Sequence, residues 1–181
     1  LLKIGRIFGT IQSQKVWILI NLTVLDDVLS DEQIQFIRNS SLLQNNLANV
    51  NEYGFQLQWD EIEPFHPIIN IINKYWDLSD VVAYELWQQL NDRPPHWHYD
   101  RDEICLAKGI TKYPVMTSVY YLDVHDVVDG RLFFEDDTHI EPVQNRLVMF
   151  GPGVEHYVER FTGYRHSIVI NPWSSFLGEH D

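Results

Sequence analysis

The feature of this sequence that most limits its fold is a change of pattern near residue 81. From there on, short runs of β-branched and aromatic residues alternate with turn residues, which is typical of antiparallel β proteins. The predicted strands are 81–88, 96–100, 115–122, 131–135, 145–151 and 165–171. Asp129-Gly130 and Gly151-Pro152-Gly153 are turn signals between them. Such a series of short strands predicts a β-sandwich or a jelly roll.

The residues before position 81 carry helical signals. Ser30 with Gln33 three residues later is a capping box, which predicts a helix beginning at that point. Pro67 opens a second amphipathic stretch, which predicts another helix that includes Ile68, Ile69, Ile71, Ile72, Tyr75 and Trp76. Residues 16–24 alternate between apolar and polar positions and predict a strand ahead of both helices.

These patterns together predict a mostly β fold, a jelly roll with N-terminal supporting helices. The chain has 181 residues with no internal repeat or linker, so we expect a single domain over 1–181. The helical support is expected at about 26–80 and the jelly-roll core at about 81–173.

The composition argues against several kinds of binding partner and cellular location. The formal charge of −13 argues against nucleic acid and against an anionic membrane surface, because both need clustered cations. No apolar run approaches the roughly 20 residues that span a bilayer. Cys105 is the one cysteine, which excludes an intrachain disulfide and favours a reducing, cytoplasmic location. Oligomeric state is left open by the sequence.

The densest chemistry lies at 94–103, where His98 and Asp100 are two residues apart. In an extended strand such residues point to the same side, so both side chains can reach one metal ion. An imidazole and a carboxylate, completed by a distant histidine, form the facial triad of non-haem Fe(II) oxygenases. His156, which follows a strand and a glycine turn, is the candidate for that third ligand.

Arg165 lies nine residues beyond His156, in a run that reads as a strand. Period-2 alternation puts Arg165, Ser167 and Val169 on one face of that strand. A buried arginine beside a metal site needs an anionic partner, and its planar fork suits a carboxylate. A dicarboxylate cosubstrate could bind the metal with one end and Arg165 with the other.

At this point the sequence resembles the 2-oxoglutarate- and Fe(II)-dependent dioxygenases, in particular their prolyl-hydroxylase-like branch. The resemblance covers about residues 16–173. The residues that carry it are His98-x-Asp100, His156 at 58 residues beyond His98, Gly163-x-Arg165-x-Ser167, Thr117-Ser-Val-Tyr-Tyr-Leu-Asp123, Asp129-Gly130-Arg-Leu132, and Asn145-Arg146-Leu-Val-Met-Phe150.

The resemblance implies a double-stranded β-helix, with Fe(II) held by His98, Asp100 and His156. It also implies that Arg165 binds the distal carboxylate of 2-oxoglutarate, assisted by Tyr121, with a further hydroxyl from Ser167. Alternation alone does not say whether Tyr120 or Tyr121 faces the pocket. The implied reaction consumes O2, converts 2-oxoglutarate to succinate and CO2, and hydroxylates an unactivated C–H bond. The implied substrate is a peptidyl proline or a small molecule.

Two alternatives remain open from the residues themselves. His96, His98, Glu103 and His156 partly match the two motifs of cupins, whose metal enzymes need no keto acid. That ligand set leaves Asp100 and Arg165 without a role, and replacement of Asp100 would separate the two hypotheses. A non-catalytic jelly-roll binding module is the third hypothesis, and a broken triad would favour it.

Overall fold

The computed structural model describes residues 21–46, 55–90 and 96–179. The helices are α1 (Asp31–Arg38), α2 (His66–Ile72) and α3 (Glu103–Leu106), with a π-helical turn at Leu42–Asn46 and 3-10 turns at Trp59–Glu61 and Glu63–Phe65. The strands are β1 (Thr23–Leu25), β2 (Phe55–Leu57), β3 (Ala83–Gln89), β4 (Thr117–Asp129), β5 (Leu132–Phe134), β6 (His139–Ile140), β7 (Leu147–Phe150), β8 (His156–Val158) and β9 (Phe161–Trp173).

The strands form two antiparallel sheets. The larger has six strands in the order β1-β7-β4-β9-β3-β2, and the smaller has three in the order β6-β5-β8. Apolar side chains from β4, β7 and β9 of the large sheet share one buried cluster with side chains from β5 of the small sheet. The two sheets therefore face each other, and the prediction of a mostly β jelly roll with supporting helices is confirmed.

The two faces of the large sheet have different neighbours. Tyr120 and Ile168 point outward and pack with the helices in the main core. Val119 and Val169, one residue away on the same strands, point inward towards the small sheet. This alternation decides which side chains can reach the space between the sheets, because every second residue of a strand lies on the same face.

The capping box is present as predicted. Ser30 Oγ accepts a hydrogen bond from the backbone N–H of Gln33 at 3.4 Å, and Gln33 Oε1 accepts one from the Ser30 N–H at 2.9 Å. Helix α1 begins at the next residue and buries Ile34 and Ile37 beneath the large sheet. Its single polar face and acidic first turn fit a short supporting helix.

Some predicted boundaries are wrong. The second helix ends at Ile72, earlier than the apolar pattern suggested, and Tyr75 is exposed. Strand β2, which lies within the region predicted to be helical, has only three residues and so no readable period. Of the early predicted strand, residues 16–20 lie outside the described residues. The extent of the domain stays a prediction. Within the described ranges, no helix is long and apolar enough to cross a membrane.

Candidate active site

Three side chains with metal-ligating atoms meet between the sheets. His98 and His156 are joined through their backbones, since each N–H donates to the other's carbonyl at 3.0 Å. Asp100 follows two residues after His98, and its Oδ1 lies 3.8 Å from Nε2 of each histidine. One ligand atom from each of the three residues falls within 4.8 Å of the others. Two neutral imidazoles and a carboxylate at this spacing can share one divalent ion.

Both histidines present the same ring nitrogen to this centre. His98 Nδ1 lies 3.1 Å from the carbonyl oxygen of His96, and His156 Nδ1 lies 3.0 Å from that of Val154. A carbonyl only accepts, so each Nδ1 carries the proton and leaves the Nε2 lone pair free. Burial lowers the pKa of His98, and His156 adds to that shift, which favours the neutral form that binds metals.

The Asp100 carboxylate is held by two buried donors. Thr117 Oγ1 on β4 and Asn171 Nδ2 on β9 each donate to Oδ2 at 3.1 Å. Both hydrogen bonds go to the same oxygen, so Oδ1 is left to face the two histidines. Such supporting contacts orient a ligand and keep its other oxygen available for the metal.

We expect Thr117→Val to lower the affinity of the site for a divalent metal by about tenfold, because Asp100 loses one of its two supporting donors. The measurement is a titration of the purified protein with Mn(II) or Fe(II) against a competing chelator. Ser118→Ala is the matched control. It also removes a buried hydroxyl, whose 2.7 Å hydrogen bond to the Ile170 carbonyl lies away from the site. Equal affinities in the two variants would show that Thr117 does not support the ligand.

A cavity of about 110 Å³ opens beside the three ligands. Its volume approaches that of cavities that hold a small organic molecule. Besides the ligands, it is lined by Trp87, Gln88, Gln89, His96, Val119, Leu132, Val158, Arg165 and Val169. Five of these nine side chains are apolar, and Arg165 is the permanent cation among the described lining residues.

Arg165 is a buried cation without a hydrogen-bonded counter-ion in the described part of the chain. It is 1% exposed, and none of its three guanidinium nitrogens has a hydrogen-bond partner there. Its guanidinium carbon lies 5.1 Å from the centre of the Tyr121 ring and 5.6 Å from that of Phe161. Unpartnered buried charge is costly, so this arrangement indicates a place for an anion.

Two buried hydroxyls on the same inner face are also without partners. Tyr121 Oη and Ser167 Oγ have no hydrogen bond within the described residues. Tyr120, by contrast, points to the outer face and donates to Asn145 Oδ1 at 3.1 Å. The structure thus answers the question left by the sequence, since Tyr121 is the tyrosine on the inner face. A guanidinium and two hydroxyls together offer the donors that a carboxylate accepts.

The ligand set of the cupin hypothesis is not brought together. Glu103 lies on α3, where it accepts a hydrogen bond from Arg101 Nε at 2.9 Å. His96 lines the cavity, but the metal-ligating cluster found among the described residues contains neither His96 nor Glu103. Asp100, which the cupin hypothesis leaves without a role, is part of that cluster.

Sequence reasoning missed the supporting residues. Asn171 continues the inward alternation of Arg165, Ser167 and Val169, so the strand pattern could have indicated it. Thr117 shares a face with Tyr121 in the same way. That both residues converge on Asp100 depends on the pairing of distant strands, which alternation along one strand does not show.

The chain is similar in fold to solved prolyl hydroxylases. A truncated viral collagen prolyl hydroxylase from Paramecium bursaria Chlorella virus-1 has a TM-score of 0.60 at 13% identity, over 93% of this chain and 100% of that one. A prolyl-4-hydroxylase from Pseudomonas putida has a TM-score of 0.60 at 16% identity, over 86% of this chain and 88% of that one. A prolyl hydroxylase from Trichoplax adhaerens, in complex with a hypoxia inducible factor peptide, has a TM-score of 0.57 at 15% identity, over 86% of this chain and 84% of that one.

The viral enzyme also has a structure as a 2OG complex, with a TM-score of 0.55 at 16% identity, over 84% of this chain and 95% of that one. No protein-family model matches the sequence, and no curated protein matches it. The likeness to these solved structures shows that the chain shares the fold of prolyl hydroxylases.

Proposed function

We propose that this protein is a 2-oxoglutarate-dependent Fe(II) dioxygenase that hydroxylates an unactivated C–H bond. The observation that carries the proposal is the position of the cluster formed by His98, Asp100 and His156. It shares one cavity with a buried arginine that has no hydrogen-bond partner in the described residues. A metal centre and an anion site that share one cavity suit a cosubstrate that needs both.

The three ligands fit Fe(II). Two imidazole nitrogens and one carboxylate oxygen are the donor set of non-haem Fe(II) oxygenases, and they leave coordination positions open for other ligands. In this proposal His98, Asp100 and His156 hold the ion, while Thr117 and Asn171 keep the carboxylate in orientation.

The buried donors fit a dicarboxylate. Arg165, Tyr121 and Ser167 would donate hydrogen bonds to the distal carboxylate of 2-oxoglutarate and so meet the need of all three side chains at once. Binding at Arg165 would fix the distal end of the keto acid and so orient its other end towards the metal ligands. Arg165 can bind a carboxylate through two parallel hydrogen bonds, which would fix the orientation of the ligand more precisely than the single ammonium group of a lysine.

When bound, iron and 2-oxoglutarate supply the oxidising chemistry, in which one O2 yields succinate, CO2 and a hydroxylated product. In this proposal the protein supplies orientation and an apolar part of the wall. Val119, Leu132 and Val169 line the cavity, and their apolar side chains would disfavour water beside the two binding groups.

We propose a peptide as the substrate class; in support, the prolyl hydroxylase of similar fold from Trichoplax adhaerens is in complex with a peptide fragment. The test incubates the purified protein with Fe(II), 2-oxoglutarate, O2 and a pool of proline-containing peptides. We expect succinate and a peptide product heavier by one oxygen atom, both suppressed by a metal chelator. Formation of neither succinate nor an oxygenated product, with peptides or with small-molecule pools, would favour a non-catalytic binding module.

A further inference from the structure

Strand β4 carries an irregularity next to the proposed cosubstrate pocket. Tyr121 pairs with Ser167 of β9, and Asp123 pairs with the adjacent residue His166. Leu122 is therefore one extra residue on β4. Leu122 packs with the outer core beneath the helices, and Asp123 also lies on that outer side, next to His166. This two-against-one arrangement is a β-bulge, a feature that re-aims side chains.

A regular ladder would place Asp123 very differently. Continued alternation after Tyr121 would turn Asp123 to the inner face, and the register of Tyr121 with Ser167 would put it directly opposite Arg165. A carboxylate and a guanidinium at opposed positions form a cross-strand ion pair. In the bulged strand Val124 stands opposite Arg165 instead, so the arginine has no internal counter-ion at that position.

Asp123 is held on the outer face by groups from neighbouring elements. Arg38 of α1 forms an ion pair with Asp123 Oδ1. His166 Nδ1 lies 3.8 Å from Oδ2, and His125 Nε2 lies 3.9 Å from Oδ1. His166 is anchored on its other side by Gln88, at 2.8 Å, and burial lowers its pKa. Arg38 is therefore the permanently charged partner of Asp123 on that face.

We propose that Arg38 is a positioning residue for the cosubstrate pocket, because it holds Asp123 outward and so keeps Arg165 free for a dicarboxylate. Asp123 can form an ion pair with either of two arginines, with Arg38 in the bulged register and with Arg165 in the regular register. The two registers differ by one residue on one strand, and the ion pair with α1 favours the bulged one. The inference rests on the proposed function for the identity of the ligand, 2-oxoglutarate.

The test is the affinity of the metal-loaded protein for 2-oxoglutarate, measured by anaerobic calorimetry. We expect Arg38→Met to weaken binding by about tenfold or more, because Asp123 then competes for Arg165 and the competent fraction falls. Metal affinity should stay unchanged. The double variant Arg38→Met with Asp123→Asn should bind within about twofold of wild type, since no carboxylate remains to compete.

Arg131→Met is the control, because it breaks the Arg131–Glu159 ion pair, which involves neither Asp123 nor Arg165, and should leave 2-oxoglutarate affinity unchanged. Wild-type binding by Arg38→Met would overturn the inference. Weak binding that the double variant does not restore would also overturn it and would assign Arg38 a general structural role.

The strand register gives a readout that needs no ligand. A crystal structure of Arg38→Met should show Asp123 opposite Arg165, whereas a retained bulge with Asp123 still outward would contradict the inference. Failure of the wild-type protein to bind 2-oxoglutarate would instead contradict the proposed function, and the register of the variant would still decide this point.

Discussion

Replacement of Arg165 with methionine is expected to weaken 2-oxoglutarate binding strongly and, at the same time, to make the unliganded protein more stable. Loss of one partner of a buried charge pair costs about 2–5 kcal/mol, so affinity should fall by about 30-fold or more. Stability should rise by about 1 kcal/mol or more, because the free protein buries a guanidinium that has no hydrogen-bond partner in the described residues. The measurements are calorimetric binding and chemical denaturation without ligand.

Tyr121→Phe is the graded control for this prediction. It removes one hydroxyl from the same pocket and leaves the charge in place, so its affinity for 2-oxoglutarate should fall less, by about tenfold. Both variants should bind metal as the wild type does. If Arg165→Met bound the keto acid normally, Arg165 would not be the carboxylate partner. Reduced stability of that variant would mean that its guanidinium has a partner in the free protein.

Replacement of Asp100 with alanine is expected to lower metal affinity by more than about 100-fold. The variant loses one of three protein ligands, whereas loss of a supporting contact alone costs about 10- to 100-fold. Succinate formation should disappear with the metal. Titration with Mn(II) and a coupled assay for succinate measure the two effects.

Glu103→Gln provides the comparison that separates this account from a cupin-type site. Glu103 bonds Arg101 outside the metal cluster, so its replacement should leave metal affinity and turnover unchanged. The opposite result, with Glu103→Gln inactive and Asp100→Ala active, would favour the cupin ligand set.

Local patterns were enough to predict much of this fold. The capping box at Ser30 requires only residues three apart, and α1 begins where it indicates. Alternation along β9 is equally local, and it correctly separates Arg165 and Val169 from Ile168. The sequence therefore predicts which side chains share a face of a strand, because strand geometry places every second residue on the same side.

The rest depended on contacts between distant parts of the chain. The bulge at Leu122 breaks the alternation of β4, and a strict period of two would have placed Asp123 on the inner face with Tyr121. The support of Asp100 by Asn171 joins residues that are 71 positions apart. Such pairings are set by the register between strands, which tertiary packing decides.

The most direct test of the account is the anaerobic addition of Fe(II) and 2-oxoglutarate to the purified protein, followed by visible spectroscopy. We expect a charge-transfer absorption band that needs both additions, because the keto acid binds the iron beside it. The band should be absent in Asp100→Ala, which cannot hold the metal, and in Arg165→Met at keto-acid concentrations that saturate the wild type. Absence of the band in the wild-type protein, with Fe(II) shown to be bound, would contradict the proposal that this cavity joins an iron site to a keto-acid site.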